Sequence, residues 1–188
     1  GYEVIHLNLG SALSSALQNC MLAARELEGV YPVDSGNLST GNGHLVLDAG
    51  EMIKAGLGAE EIAEKLKERK FRVHSSFILD TLKFMSAGGR CSNVMALGAN
   101  LLNIKPCIEV NNQDGSMGVG KKYRGSLKKV LPLYVKDKLQ EYEEISRDKI
   151  IITNSYIDQE YIELVRRTIQ EEMEFKIVYV TRESLPIS

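Results

Sequence analysis

The segment Gly10-Ser11-Ala12-Leu13-Ser14-Ser15 places three serine hydroxyls directly after an apolar, strand-like run. We expect a helix to begin at Ser11, because serine is favoured at helix starts and apolar residues follow at helical spacing. A helix start offers unpaired backbone N–H groups and partial positive charge, so it can hold a carboxylate or a phosphate without a metal. The alternative is a serine that only caps the helix, since such caps are common.

A single arginine follows a pair of glycines at Gly88-Gly89-Arg90. Paired glycines allow the backbone to turn sharply, and the planar guanidinium of arginine can donate two hydrogen bonds to one carboxylate. Arg90 is therefore a second candidate for holding an anionic group. The alternative is a turn residue that only faces solvent.

Basic residues cluster around Tyr123, with Lys121 and Lys122 before it and Arg124 after it. Two further lysines follow at Lys128-Lys129. Such a patch is typical either of a solvated face or of a surface that docks an acidic partner or a phosphate.

Several other chemistries lack their sequence patterns. The histidines His6, His44 and His74 have no carboxylate or thiol neighbours at ligand spacing, so we expect no metal site. The glycines of residues 36–43 and 118–125 do not follow the spacing of phosphate-binding loops, so we do not expect this chain alone to bind ATP. The sequence shows no nucleophile paired with a general base, and this favours a binding protein over an enzyme.

Composition places the chain among ordinary globular proteins: 188 residues, 44% hydrophobic, with a net charge of −2. This composition excludes a disordered chain, and no apolar run is long enough to span a membrane. A pI near 6.0 gives no reason to expect nucleic-acid binding. The three cysteines, Cys20, Cys91 and Cys107, form no disulfide pattern, and we expect a reducing, cytoplasmic compartment.

The elements that must position these residues begin with alternating strands and helices. Residues 4–9 and 30–33 are predicted strands, and residues 11–27, 39–55 and 59–69 are predicted helices, the first ending before Gly29. This order is typical of a parallel sheet covered by helices. Two strands are too few for such a sheet, so we expect further strands of this domain to lie outside the chain.

The second half of the chain predicts a different arrangement. Residues 107–110 and 117–123 should form a hairpin around the turn at residues 111–115. The remaining strands and helices alternate, with strands at 71–79, 150–153 and 175–181 and helices from Asp80, over 93–102, 126–145 and 158–174. The predicted fold is therefore α/β with two layers. An incomplete parallel-sheet domain spans residues 1–73, and a domain with a mixed or antiparallel sheet plus helices spans 74–188.

Motifs along nearly the whole chain resemble those of the DegV family, in the same order. Residues 77–90 resemble the segment that ends in the family's GGR turn, and residues 101–106 resemble its LLNIKP element. Further similarities are Ser11-Ala12-Leu13-Ser14, Val33-Asp34-Ser35, Leu38-Ser39-Thr40-Gly41 and Lys122-Tyr123-Arg124-Gly125.

The resemblance implies a bacterial fatty-acid-binding protein of two α/β domains, with the acyl tail in an apolar slot and the carboxylate at the domain junction. It implies no cofactor other than the bound fatty acid, and a separate fatty acid kinase that makes the acyl phosphate. By position, Ser11, Ser14 and Arg90 match the carboxylate-binding residues. Lys121, Lys122 and Arg124 match a basic region that would meet the kinase.

The chain also departs from the family pattern. Gly10 stands where a serine is usual, Ser15 and Ala16 stand where glycine and threonine are usual, and an upstream threonine-serine segment and a late histidine-glycine-proline motif are absent. Two alternatives therefore stay open: a small α/β enzyme that acts on a phosphorylated metabolite, and a degenerate member that serves as an interaction scaffold. Transient contact with a membrane surface also stays open.

Overall fold

The computed structural model describes residues 1–81 and 103–182. Its strands are β1 (Val4–Asn8), β2 (Val30–Asp34), β3 (Ser75–Ile78), β4 (Ile104–Val110), β5 (Met117–Arg124), β6 (Lys149–Asn154) and β7 (Ile177–Arg182). Its helices are α1 (Ala16–Ala23), α2 (Ser39–Lys54), α3 (Ala59–Arg69), α4 (Leu127–Gln140) and α5 (Gln159–Glu172), and the 3-10 turn Lys70–Arg72 follows α3. Helices combined with parallel and antiparallel strands confirm the predicted α/β class.

The first core lies between the parallel pair β1–β2 and the helices α2 and α3. Val33 on β2 and Leu45 on α2 are fully buried, and Ile62 and Leu66 of α3 pack in the same cluster. Their spacing of four residues places both α3 side chains on one face of that helix. Glu61 and Lys65 form an ion pair on the outside of α3, with 3.5 Å between the charged atoms.

A second sheet contains β3, β4 and β5 in that order, all antiparallel. The hairpin predicted around residues 111–115 is confirmed, because β4 and β5 pair from Val110 and Met117 outward. The register shifts between Pro106 and Ile108, where proline has no N–H to give to the ladder. Helix α4 covers this sheet through Val130, which packs with Cys107 and Tyr123.

The last two strands, β6 and β7, form a sheet of their own, separate from the β3–β4–β5 sheet. β6 and β7 pair in parallel from Lys149 with Ile177 to Asn154 with Arg182, and α5 connects them. Helix α5 packs along α4. Local patterns found these strands, but which strands pair is decided by contacts between distant parts of the chain.

Three predicted elements are shorter in the structure. The helix predicted over 11–27 covers only Ala16–Ala23, and the helix predicted over 126–145 ends at Gln140. Just beyond that end, the ring of Tyr142 stacks on that of His74, with 4.0 Å between centroids. The strand predicted over 71–79 begins only at Ser75, because the 3-10 turn takes its first residues. The helices predicted after Asp80 and over 93–102 lie outside the described residues.

Within the described ranges, no helix has both the length and the apolar character needed to cross a membrane.

Candidate functional site

The three serines of residues 11–15 do not begin a helix at Ser11. Residues 11–13 form a turn, in which the N–H of Leu13 donates to the carbonyl of Gly10 at 2.8 Å, and α1 begins only at Ala16. Two backbone hydrogen bonds tie this turn to other loops: Gly10 N–H donates to Asn37 O, and Ala12 N–H donates to Asp114 O. These long-range bonds use donors that would otherwise belong to the first turn of a longer helix.

The Ser11 hydroxyl donates to the carboxylate of Asp34, with 3.0 Å between Oγ and Oδ2. Asp34 lies at the end of β2, directly opposite Asn8 at the end of β1. Parallel strands bring their carboxyl ends to one edge of a sheet, and ligands of α/β proteins bind outside that edge. The Ser11 hydroxyl is therefore in the place expected for a ligand contact, but its proton is already donated within the protein.

Asp34 has two further partners. Its Oδ1 accepts the N–H of Gly36 at 3.0 Å, and its Oδ2 lies 3.4 Å from the ammonium of Lys70. The Lys70 ammonium also donates to the carbonyl of Gln113 at 2.8 Å, and the Lys70 side chain is only 11% exposed. One buried cation thus connects the end of β2 with the tip of the hairpin.

Together these contacts define a four-loop junction, which consists of residues 9–15, 34–38, 70–74 and 111–116. The Gly10 and Gly115 backbones touch in this junction, and a Cβ built on Gly10 would lie 2.5 Å from the carbonyl oxygen of Asp114. The carboxylate of Asp114 accepts hydrogen bonds from the N–H and the hydroxyl of Ser116, and these bonds lower its pKa. At position 10 the hairpin turn therefore leaves no space for a side chain.

Ser14, the second predicted contact, lies half-buried just before α1. Its hydroxyl oxygen accepts the N–H of Ala16 at 3.2 Å. Ser14, and not Ser11, therefore satisfies a backbone donor at the start of the helix. The N-terminal residue of that start, Ser15, makes no side-chain hydrogen bond of its own to the helix. Ser11 and Ser14 thus both lie in the short segment between β1 and α1, Ser11 in the turn after the strand and Ser14 beside the helix start.

Arg90, the third predicted contact, lies outside the described residues together with its Gly88-Gly89 turn. The described residues that flank this gap lie next to β3 and β4, where the Lys105 ammonium forms an ion pair with Asp80. The Leu79 N–H also donates to Pro106 O there. This end of the sheet is opposite to the hairpin turn that contacts Gly10 and Ala12. The pairing of Arg90 with Ser11 stays a prediction.

The basic residues of β5 face two directions. Lys121 pairs with Asp137 of α4 at 2.7 Å, and the Tyr123 hydroxyl donates to the same carboxylate oxygen. Both bonds lower the pKa of Asp137. Side chains alternate along a strand, so Lys122 and Arg124 point away from this helix, and both are exposed. Among the described residues neither Lys122 nor Arg124 has an ion-pair partner, and the role of this patch in docking stays a prediction.

Among the described residues, no group of histidine, cysteine, aspartate and glutamate side chains could hold a metal ion. Asp34 and Lys70 are the site residues that sequence reasoning missed. Asp34 carried a signal, because it is the first charged residue after the strand predicted over residues 30–33. Lys70 carried none, since lysine after an exposed helix is ordinarily solvated.

Comparison with known proteins adds to this geometry. Residues 1–183 match a family model whose description reads "Uncharacterised protein, DegV family". A DegV domain-containing protein of Clostridium acetobutylicum is 32% identical over 179 residues, which are 93% of this chain and 62% of that protein. The chain therefore spans less than two thirds of that relative's length.

Two solved structures show the same fold. One, described as fatty acid binding of a DegV family protein from Thermus thermophilus, is 25% identical, with a TM-score of 0.77 over 96% of this chain and 64% of that one. The other is the fatty acid kinase (Fak) B3 protein of Streptococcus pneumoniae loaded with linoleic acid. It is 17% identical, with a TM-score of 0.77 over 95% of this chain and 64% of that one.

Proposed function

This chain belongs to the DegV family, and we propose that it binds a long-chain fatty acid whose carboxylate lies at the Ser11 turn. The observation that carries the proposal is the position of Ser11 and Ser14 in the short segment between β1 and α1, at the edge where β1 and β2 end. The relatives whose descriptions name fatty acid binding or a bound fatty acid support the choice of ligand.

The head group would be held by hydroxyls, by backbone N–H groups and by one guanidinium. Ser11 and Ser14 supply the hydroxyls, and the first turn of α1 supplies N–H groups with partial positive charge. Arg90 supplies the guanidinium, which compensates the charge that burial of a carboxylate would otherwise leave unpaired. We assign these three side chains to carboxylate binding.

The acyl tail requires apolar walls next to the head group. Helix α1 has no buried residue, and its Met21 and Leu22 are about half exposed, as is Leu9 before the turn. In this proposal these side chains form part of the slot.

In the same proposal the protein performs no chemistry itself, and a separate fatty acid kinase phosphorylates the bound acid. The name of the Streptococcus pneumoniae relative supports this role. The exposed pair Lys122 and Arg124, with Lys121 beside it, would dock an acidic surface of that kinase in the cytoplasm.

Extraction of the purified protein followed by mass spectrometry tests the ligand class. We expect recovery of long-chain fatty acids in near-stoichiometric amount, and a phosphorylated metabolite in their place would favour the enzyme alternative. Recovery of neither, together with no binding of added fatty acid, would leave the scaffold alternative.

Replacement of Ser11 tests the site. Ser11→Ala should raise the Kd for a fatty acid by about tenfold, the effect of one lost hydrogen bond to a charged group. Ser146→Ala is the matched control, because Ser146 is an exposed serine that also donates to a carboxylate, Asp148, at 2.9 Å. Equal affinities of the two variants would contradict the assignment.

A further inference from the structure

The ammonium of Lys70 is the buried cation of the four-loop junction. It lies 3.4 Å from Asp34 Oδ2 and 2.8 Å from the carbonyl oxygen of Gln113, and the residue is 9% exposed. The ring of the next residue, Phe71, lies 5.1 Å from the same ammonium. Lysine is rarely buried unless it is paired, so its position depends on the carboxylate that it meets.

The carboxylate of Asp34 accepts the hydrogen bond from the Ser11 hydroxyl, which is the donor that a ligand would need. The Ser11 hydroxyl carries one proton, and that proton is given to Asp34. A ligand carboxylate at Ser11 must therefore take the hydroxyl from Asp34, and it then lies close to another carboxylate. Two carboxylates in one site disfavour each other's charge unless a cation balances them.

We propose that Lys70 is a positioning residue that makes the Ser11 turn selective for an anionic head group. This inference rests on the proposed function. Lys70 neutralises Asp34, and when the ligand carboxylate takes the hydroxyl of Ser11, Asp34 keeps its bonds to Lys70 and to the N–H of Gly36. Lys70 acts through Asp34 and needs no contact with the ligand.

Lys70 is also connected to the backbone of the Ser11 turn through the hairpin. Lys70 holds the carbonyl of Gln113, and the next carbonyl, that of Asp114, accepts the N–H of Ala12 at 2.9 Å. Loss of the ammonium would therefore affect the shape of the turn as well as its charge. A test has to separate these two effects.

The test compares the Kd of a long-chain fatty acid with that of the fatty alcohol of the same length. A change in shape weakens both ligands, whereas a change in charge weakens only the acid. We expect the wild type to prefer the acid. Lys70→Met should reduce this preference by about tenfold or more, because an interaction between neighbouring charges is commonly large enough to change an equilibrium tenfold. Lys70→Arg should keep the preference, because the positive charge remains.

Two further variants complete the design. The double variant Asp34→Asn with Lys70→Met should regain most of the preference, since it removes both charges together and is also the safer variant for folding. Lys149→Met is the matched control, because Lys149 is another buried lysine, 2.6 Å from Asp48 and outside the junction. It should leave the preference unchanged.

The outcomes separate this inference from the proposed function. A wild type that prefers the acid, with a folded Lys70→Met variant that keeps that preference, overturns only the role of Lys70. An equal loss in Lys149→Met also overturns it. A wild type that binds neither ligand overturns the proposed function and this inference with it.

Discussion

The ammonium of Lys149 lies 2.6 Å from Oδ1 of Asp48, and both side chains are buried. The guanidinium of Arg69 donates to the other oxygen of Asp48 at 2.8 Å, and Glu51 lies 2.9 Å from Lys149. Three elements meet in this cluster: β6, which begins at Lys149, the middle of α2, and the end of α3. A buried carboxylate between two cations therefore joins the first core to the last sheet.

Loss of one cation should destabilise the protein strongly. Lys149→Met leaves Asp48 buried with Arg69 as its remaining partner, and we expect the free energy of unfolding to fall by about 3 kcal/mol. Urea denaturation measures this. Lys176→Met is the control, because Lys176 forms a fully exposed ion pair with Asp148 and should change stability little. Similar losses in the two variants would contradict the stabilising role of the buried cluster.

The stability of the protein should fall as the pH drops below about 6.5. Burial lowers the pKa of His44, although the neighbouring Asp48 opposes this. Burial also lowers the pKa of His74. The unfolded chain then binds protons at a higher pH than the folded protein does, so stability is complete above 6.5 and is lost as the pH falls toward the folded-state pKa values.

Thermal denaturation between pH 7.5 and pH 5.5 checks this direction, because the lowered carboxyl pKa values act only at lower pH. The double variant His44→Gln with His74→Gln should show a smaller decrease in Tm across this window. An unchanged decrease would show that other groups cause it.

A side chain at position 10 should disturb the Ser11 turn. The added Cβ of Gly10→Ala would lie 2.6 Å from Gly115 Cα, and neither backbone can move freely. We expect a loss of stability of about 1–3 kcal/mol, the usual cost of overpacking. Gly43→Ala is the control, because Gly43 lies inside α2 with nothing within 4 Å, so alanine should stabilise that helix by about 0.5–1 kcal/mol. A neutral Gly10→Ala variant would contradict the close approach.

Cys107 should resist alkylation in the folded protein. Its side chain is fully buried, and burial raises the pKa of its thiol to about 11, so almost no thiolate is present at pH 8. Treatment with iodoacetamide and peptide mass spectrometry should show Cys20, which is half-buried, modified before Cys107. Urea should remove the difference, and rapid modification of Cys107 without urea would contradict its burial.

Arg90 and Arg124 should differ in their effect on ligand retention. We expect Arg90→Ala to weaken fatty acid binding by about tenfold or more, because Arg90 is the proposed charged partner of the carboxylate. Arg124→Ala should leave this affinity unchanged, since Arg124 is exposed on β5. Equal losses would contradict the separate roles of ligand binding and docking, and binding measured by calorimetry distinguishes the cases.

Local sequence patterns were sufficient for most elements. The hairpin at residues 111–115 has turn residues between two β-rich runs, and α3 has apolar residues on one face with ion pairs on the other. These signals depend on neighbours within a few residues, and the structure confirms both elements. The family motifs added the likeness that the family match confirms.

The sequence alone determined which hydroxyls lie at the end of β1, because the serines stand beside a strand pattern. Only the tertiary structure decided what they contact. Ser11 meets Asp34, and Asp34 meets Lys70, through the pairing of β1 with β2 and the closure of a distant hairpin over both. A chain pattern records spacing along the backbone, whereas the partner of a buried charge depends on which remote segments pack against it.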